Sequence, residues 1–242
     1  MIVVDTLIEA RWVVPVVPKG VVLEDHAVVI AEGRIVDITP IEKAREHYLP
    51  RERVALPQHA LMPGLVNAHC HAAMNLMRGL ADDLPLMTWL NEHIWPGEAA
   101  LVSPAYVADG VELAAAEMLA GGVTAVNDQY FFPEVAVEVY RRMGMRAAAG
   151  LIVLEFPTPY ARNADEYLSR GLALADQVRG DPLIHVCFAP HAPYTVSDDS
   201  FKRIRTYADQ LGLRVHVHLH ETAFEIRSEE RRVGKECLRL CR

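Results

Sequence analysis

Cysteine is scarce in this chain of 242 residues: four, at positions 70, 187, 237 and 241, make no recognisable disulfide framework. Such usage fits a reducing compartment, so a cytoplasmic location is expected. Basic side chains are outnumbered, 24 Lys and Arg against 32 Asp and Glu, for a formal charge of -8. That balance argues against a nucleic-acid backbone or an anionic membrane as partner. Apolar runs are too short to span a bilayer. The first residues carry Asp5 and Glu9 and no basic leader, so no secretory signal is read. Phosphate loops are missing too: nothing resembles G-x-G-x-x-G or a Walker loop, which disfavours a nucleotide-dependent dehydrogenase or kinase. With 23% charged residues, 14 Gly and 15 Pro, the chain is neither disordered nor collagen-like.

What is present is apolar: 51% of the residues. That is enough to bury a core as one domain of roughly 200 to 250 residues, or as a barrel-type domain with a small appendage. Up to about Pro57, short apolar runs are broken by turns, which reads as a small β-rich domain. Residues 28–31 and 34–38 flank Glu32-Gly33, the signature of a hairpin with a two-residue turn. From Leu61 the rhythm changes to strand-like runs alternating with helices. Ser103-Pro104 starts one helix and Gly121-Gly122 ends it, Pro133 and Gly144 bound a second, Asn163 and Gly180 a third, Ser197 and Gly212 a fourth. Strands are predicted at 61–68, 123–126, 146–154, 183–189 and 213–219. Alternation of this kind marks parallel βα units, in an open doubly wound sheet or an unfinished eight-stranded barrel.

The chemistry lies at two of these strand ends. Asn67-Ala68-His69-Cys70-His71 places two histidines at i and i+2, which on an extended segment point to one side and can share an ion. A lone H-x-H is equally met by ordinary polar residues at a strand end. The second cluster, His216, His218 and His220 on one strand face with Glu221 at its end, raises the odds. Alternating histidines also occur as satisfied core residues, but burying several imidazoles together without a partner is costly. A shared metal therefore accounts better for at least one histidine in each cluster. In a barrel both clusters meet on the C-terminal face. Imidazoles with carboxylate help suit Zn²⁺ or another borderline divalent ion, which makes hydroxide from water near neutral pH. Such a site is equipped for hydrolytic attack on the sp² carbon of an amide, an amidine-like ring or a haloarene.

Met62-Pro63-Gly64-Leu65-Val66-Asn67-Ala68-His69-Cys70-His71, then Met74-Asn75-Leu76-Met77-Arg78-Gly79 and Ala81-Asp82-Asp83-Leu84-Pro85-Leu86, closely resemble the amidohydrolase superfamily. Pro190-His191-Ala192-Pro193-Tyr194 and His218-Leu219-His220-Glu221-Thr222 do so too. The similarity is to the branch of 5'-methylthioadenosine/S-adenosylhomocysteine deaminases and triazine hydrolases. It implies an α/β fold: a truncated (β/α)8 TIM barrel of about five βα units over residues 61–226, preceded by part of a small β-sandwich over residues 1–60.

The resemblance further implies that His69, His71 and His218 ligate one metal ion, Zn²⁺ with Fe²⁺ and Mn²⁺ as alternatives. Glu221 becomes the acid/base that protonates the ring nitrogen of an adenine nucleoside thioether or related aminopurine, which loses ammonia and becomes a hypoxanthine. His216 and His220 are given supporting roles and Cys70 a packing role. Trp89 is expected to pack on the nucleoside, the competing reading being a helix-face core residue. Glu98 is expected to accept from the ribose hydroxyls, and His191 to reach the substrate. Arg162 lies where relatives bind a carboxylate, although the second arginine of that pattern is missing near Leu151. A guanine deaminase or a triazine-type chlorohydrolase is the alternative activity.

The family pattern also has a His after a sixth strand and an Asp after an eighth, and no such residues follow His220 and Glu221 here. An inactive, poorly soluble fragment, or a metal-binding scaffold, is therefore expected of the 242 residues themselves. Residues 227–242 are read as a non-native tail, because 227–237 back-translates to a DNA string resembling a common sequencing-library adapter. A basic amphipathic helix and half a metal site at Cys237-x-x-x-Cys241 are weaker readings. A homo-oligomer is a fair default.

Overall fold

A computed structural model describes residues 1–223 and 225–227. The tail of 227–242, apart from Arg227, lies outside the described residues, together with Cys237, Cys241 and Phe224. The chain forms two compact units, Met1–Gly64 and the part from Leu65 onward. Among the described residues no single helix is long and apolar enough to cross a membrane.

The first unit is one mixed sheet of four strands in the order β3-β2-β1-β4, made of β1 (Ile2–Val13), β2 (Leu23–Ala31), β3 (Arg34–Pro40) and β4 (Tyr48–Leu61). The hairpin forms as predicted: Glu32 and Gly33 both take positive φ, 51° and 70°, the turn that matches strand twist. Helix α1 (Ile41–His47) carries the chain over to β4, which pairs parallel with β1. Leu7, Ala27, Val29 and Ala44 form a buried cluster there. Glu9 is 5% exposed, and Arg45 holds it at 2.7 Å and Arg53 at 3.5 Å. The described residues of this unit hold one sheet, without a second layer to complete a sandwich.

The second unit is α/β, with a parallel sheet in the order β5-β6-β7-β8. Its strands are β5 (Leu65–Cys70), β6 (Val123–Asp128), β7 (Arg146–Val153) and β8 (Ile184–Pro190). After β5 come a 3-10 turn (Ala72–Met77), α2 (Leu86–Thr88), a π-helical stretch (Trp89–Ile94), α3 (Trp95–Leu101) and α4 (Pro104–Ala120). Helices α5 (Pro133–Met143), α6 (Ala164–Gln177) and α7 (Asp198–Leu211) follow the next three strands. Ser103, Asn163 and Ser197 cap α4, α6 and α7 with their side-chain oxygens, and left-handed Gly144 and Gly212 end α5 and α7. Tyr140, Met145, Leu151, Tyr167, Phe188 and Ile204 anchor the core between sheet and helices.

Two predicted strands differ. The run at 61–68 is split at Pro63-Gly64: Leu61 closes β4, while β5 starts at Leu65 and continues through His69 to Cys70. The strand predicted at 213–219 makes only one parallel bridge, Phe188 to Val215. Phe188 N–H donates to Arg214 O and His216 N–H to Phe188 O. The next donor in that ladder is residue 190, a proline without an N–H, so the pairing stops. His218 N–H bonds instead to His191 O, one residue farther on. Among the described residues the sheet therefore has four laddered strands and one bridged segment, with Leu65, Val66, Val215 and Leu219 45–68% exposed along its two edges.

Candidate active site

The carboxyl ends of β5, β6, β7 and β8 and the segment 213–221 lie together, and the two histidine clusters meet there. Asn67 pairs with Val126 and Cys70 with Asp128, so three steps along β5 oppose two along β6. This is a β-bulge, the device that re-aims side chains at a strand end. Three contacts hold its exit: Gln129 N–H donates to Cys70 O at 2.9 Å, His71 Nδ1 to Gln129 O at 2.6 Å, and Ala72 N–H to Asp128 Oδ1 at 2.9 Å. From the other segment, His218 Nδ1 donates to His191 O at 2.7 Å.

Both carbonyl bonds place a proton on Nδ1, which in the neutral form of an imidazole leaves the lone pair on Nε2. Those two Nε2 atoms face each other at 3.2 Å. Burial lowers the pKa of His71 to about 4, so it is neutral near pH 7. Two lone pairs at that distance repel, whereas a cation between them is bound by both. One ligand atom from each of His69, His71 and His218 lies within 4.8 Å of the other two, so this donor set fits a divalent ion. Carbonyl-bound Nδ1 atoms behind the ligands are the usual way such imidazoles are oriented. His69 Nδ1 and His216 Nε2 lie within hydrogen-bond distance, at 2.9 Å. His220 adopts the left-handed conformation at φ 62°, rare for a non-glycine residue and concentrated at functional turns.

Beside the imidazoles opens a cavity of about 870 Å³, its solvent-filled mouth included. His71, His191, His218, Glu221, Trp89 and Glu98 all line it. Tyr194 donates its hydroxyl to Glu221 Oε2 at 3.0 Å, which aims that carboxylate. His191 bonds Thr195 Oγ1 at 2.8 Å, and burial lowers its pKa to about 3. Trp89 opens the π-helical stretch and is half-buried on the cavity wall. Glu98 is 8% exposed, and burial raises its pKa to about 7.

Arg162 is not brought to this cavity. Its guanidinium is 85% exposed and binds Glu166 at 2.8 Å, a pairing set by their i,i+4 spacing at the start of α6. Among the described residues no Lys or Arg lines the cavity. Cys70 does more than pack, since its thiol approaches Asp128 Oδ1 at 3.7 Å. Sequence reasoning missed Asp128, Gln129 and Tyr130, whose signal was a polar triplet, Asn127-Asp128-Gln129, closing an apolar strand.

Parallel βα units carrying a cluster of imidazoles at their carboxyl ends define a barrel-type protein with its site on the C-terminal face. The chain belongs to the amidohydrolase family, whose model matches residues 60–238. It is 48% identical to a 5-methylthioadenosine/S-adenosylhomocysteine deaminase of Teredinibacter turnerae over 235 residues, covering 97% of this chain and 53% of that protein. An adenosine deaminase from Xanthomonas campestris, solved with bound zinc, superposes with a TM-score of 0.92 at 54% identity, covering 96% of this chain and 53% of that one. A triazine hydrolase from an Arthrobacter shares the fold, with a TM-score of 0.83 at 19% identity, over 95% of this chain and 55% of that one. The chain thus spans about half the length of the relatives it matches.

Proposed function

We propose that the chain is the metal-binding half of a hydrolytic deaminase acting on adenine nucleosides of the 5'-methylthioadenosine/S-adenosylhomocysteine type. The observation that carries the reading is the common cavity of His71, His218, His191 and Glu221. His69, His71 and His218 hold the ion, with zinc as the first candidate because the Xanthomonas relative binds it. When bound, such an ion supplies Lewis acidity and activates water near neutral pH.

The remaining chemistry is assigned to the chain's own groups. As a water molecule adds its oxygen to the amino-bearing carbon and makes it tetrahedral, Glu221, aimed by Tyr194, carries the proton that the water gives up to the ring nitrogen. His191 contacts the substrate beside that carbon, and Trp89 packs on the nucleoside. Glu98 accepts from the ribose hydroxyls. Ammonia leaves and a hypoxanthine remains. A cavity wall without Lys or Arg among the described residues, and an Arg162 engaged by Glu166, favour an uncharged nucleoside thioether over one bearing a carboxylate.

The test is ammonia release, with the accompanying ultraviolet change, from methylthioadenosine, S-adenosylhomocysteine, guanine and a chlorotriazine. It uses the 242-residue protein and a clone extended to the length of its relatives. Deamination of the adenine nucleosides by the extended protein, fastest for methylthioadenosine, is expected. Turnover of guanine or the triazine instead would contradict the substrate assignment.

A further inference from the structure

Asp128 is 3% exposed at the end of β6 and does not line the cavity described above, yet it faces the histidine-bearing bulge of β5. Its Oδ1 accepts from Ala72 N–H at 2.9 Å and takes the Cys70 thiol at 3.7 Å. Its Oδ2 accepts from the Tyr140 hydroxyl at 2.8 Å, and Tyr140 is fully buried in α5. The carboxylate is thereby fastened to the core on one side and grips the residues flanking His71 on the other. The neighbouring peptide completes the hold, Gln129 donating to Cys70 O and accepting from His71 Nδ1. Residues 70, 71 and 72 are each tied to residues 128–129. Ala73 beyond them is fixed by close packing, since a Cβ on Gly110 of α4 would stand 2.6 Å from Ala73 O.

A purely structural role would need no such convergence. An apolar pair at 128 and 140 would fill the same space without burying a carboxylate that needs several donors. The arrangement makes sense where one imidazole must be held to a fraction of an ångström, the tolerance a metal centre demands. Asp128 is not itself a ligand: both its oxygens are occupied, and it stands outside the group of His69, His71 and His218.

We propose that Asp128 is a positioning residue for the metal site, clamping the bulge of β5 so that His71 meets His69 and His218 in ligand geometry. The inference rests on the metal-site reading above, and its test separates the two.

The 242-residue protein, Asp128→Ala, Asp128→Asn and a control, Tyr167→Phe, are titrated with Zn²⁺ against a chromophoric chelator, with thermal stability measured in parallel. Tyr167 is as buried as Tyr140, but its hydroxyl bonds Thr158, away from the clamp. Zinc affinity is expected to fall at least roughly tenfold in Asp128→Ala, by the scale of lost outer-shell partners. It should recover in part in Asp128→Asn, whose single oxygen can still serve Ala72, and stay within twofold in Tyr167→Phe. Asp128→Ala binding zinc as the parent does would overturn the proposal, as would affinity that merely follows stability across all the variants.

Should Asp128→Ala fail to fold, Asp128→Asn carries the same readouts. Should the parent retain no zinc, the metal reading falls. The clamp is then judged on metal-free protein by amide exchange at Ala72 and the His71 Nδ1–H resonance. Loss of both in Asp128→Asn alone supports it, and their survival there contradicts it.

Discussion

The two histidine-bearing strand ends are built to different standards. His69 lies in the bulge of β5 and His71 just past its end, with residues 70, 71 and 72 each hydrogen-bonded to residues 128–129 and the anchoring carboxylate buried. His218 sits on a segment with one parallel bridge, exposed Val215 and Leu219, and a left-handed residue two positions on. Both nevertheless bond Nδ1 to a backbone carbonyl, at 2.6 Å for His71 and 2.7 Å for His218. Orientation of an imidazole therefore takes one well-placed carbonyl, whereas fixing its position takes a ladder and a buried anchor.

The largest effect that can break this picture is loss of a ligand. His71→Ala and His218→Ala should each lower zinc affinity by more than the roughly 100-fold ceiling of outer-shell losses. Only His71→Ala should also disturb the amide signals of residues 127–130. Equal disturbance by both, read by amide NMR, would erase the distinction between the two ends.

Glu98 probes the cavity wall beside Tyr130, on the well-held side. Its carboxyl is neutral in both folded and unfolded chains below pH 4.5, and its charged form is penalised in the fold, whose value is about 7. Stability therefore declines as pH rises from 4.5 to 7, by up to about 3 kcal/mol at 1.36 kcal/mol per unit. Glu98→Gln should remove that decline: its thermal midpoint exceeds the parent's at pH 8 and equals it at pH 4. A gain independent of pH would show that burial of the charge is not the cause.

Smaller effects test the two supports directly. A Cβ on Gly150 of β7 would meet Ala189 Cβ and Asp128 O, both at 2.8 Å, in the floor under the clamp. Gly150→Ala should cost about 1–3 kcal/mol through overpacking, read as a lower thermal midpoint. On the bridged side, Thr222 and Glu225 form a reciprocal capping box, with Glu225 N–H on Thr222 Oγ1 at 3.1 Å and Thr222 N–H on Glu225 Oε2 at 2.9 Å. Thr222→Ala should cost about 1 kcal/mol locally. Amide exchange should quicken at Thr222, Glu225 and Ile226 and stay unchanged across β5 to β8.

The same contrast explains what could be read from the sequence. Elements with local signals stood out: the Glu32-Gly33 hairpin, the capping residues Ser103, Asn163 and Ser197, and the terminators Gly144 and Gly212. The histidines were legible because alternation on a strand places them together. Partners far apart in sequence were not. The parallel pairing of β1 with β4, the bond from Asp128 to Ala72 and that from Tyr194 to Glu221 depend on the assembled fold. Two features were written locally all the same. Pro190 lacks the donor that would have carried the fifth strand onward, and Glu166, four residues after Arg162, was placed to capture it.

X-ray absorption at the zinc edge of the protein loaded with one equivalent of Zn²⁺ tests the central claim most directly. Three imidazole nitrogens at about 2.0–2.1 Å, falling to two in His218→Ala, are predicted. A sulfur at about 2.3 Å, placing the ion on cysteine, or no zinc retained after dialysis, would contradict the account.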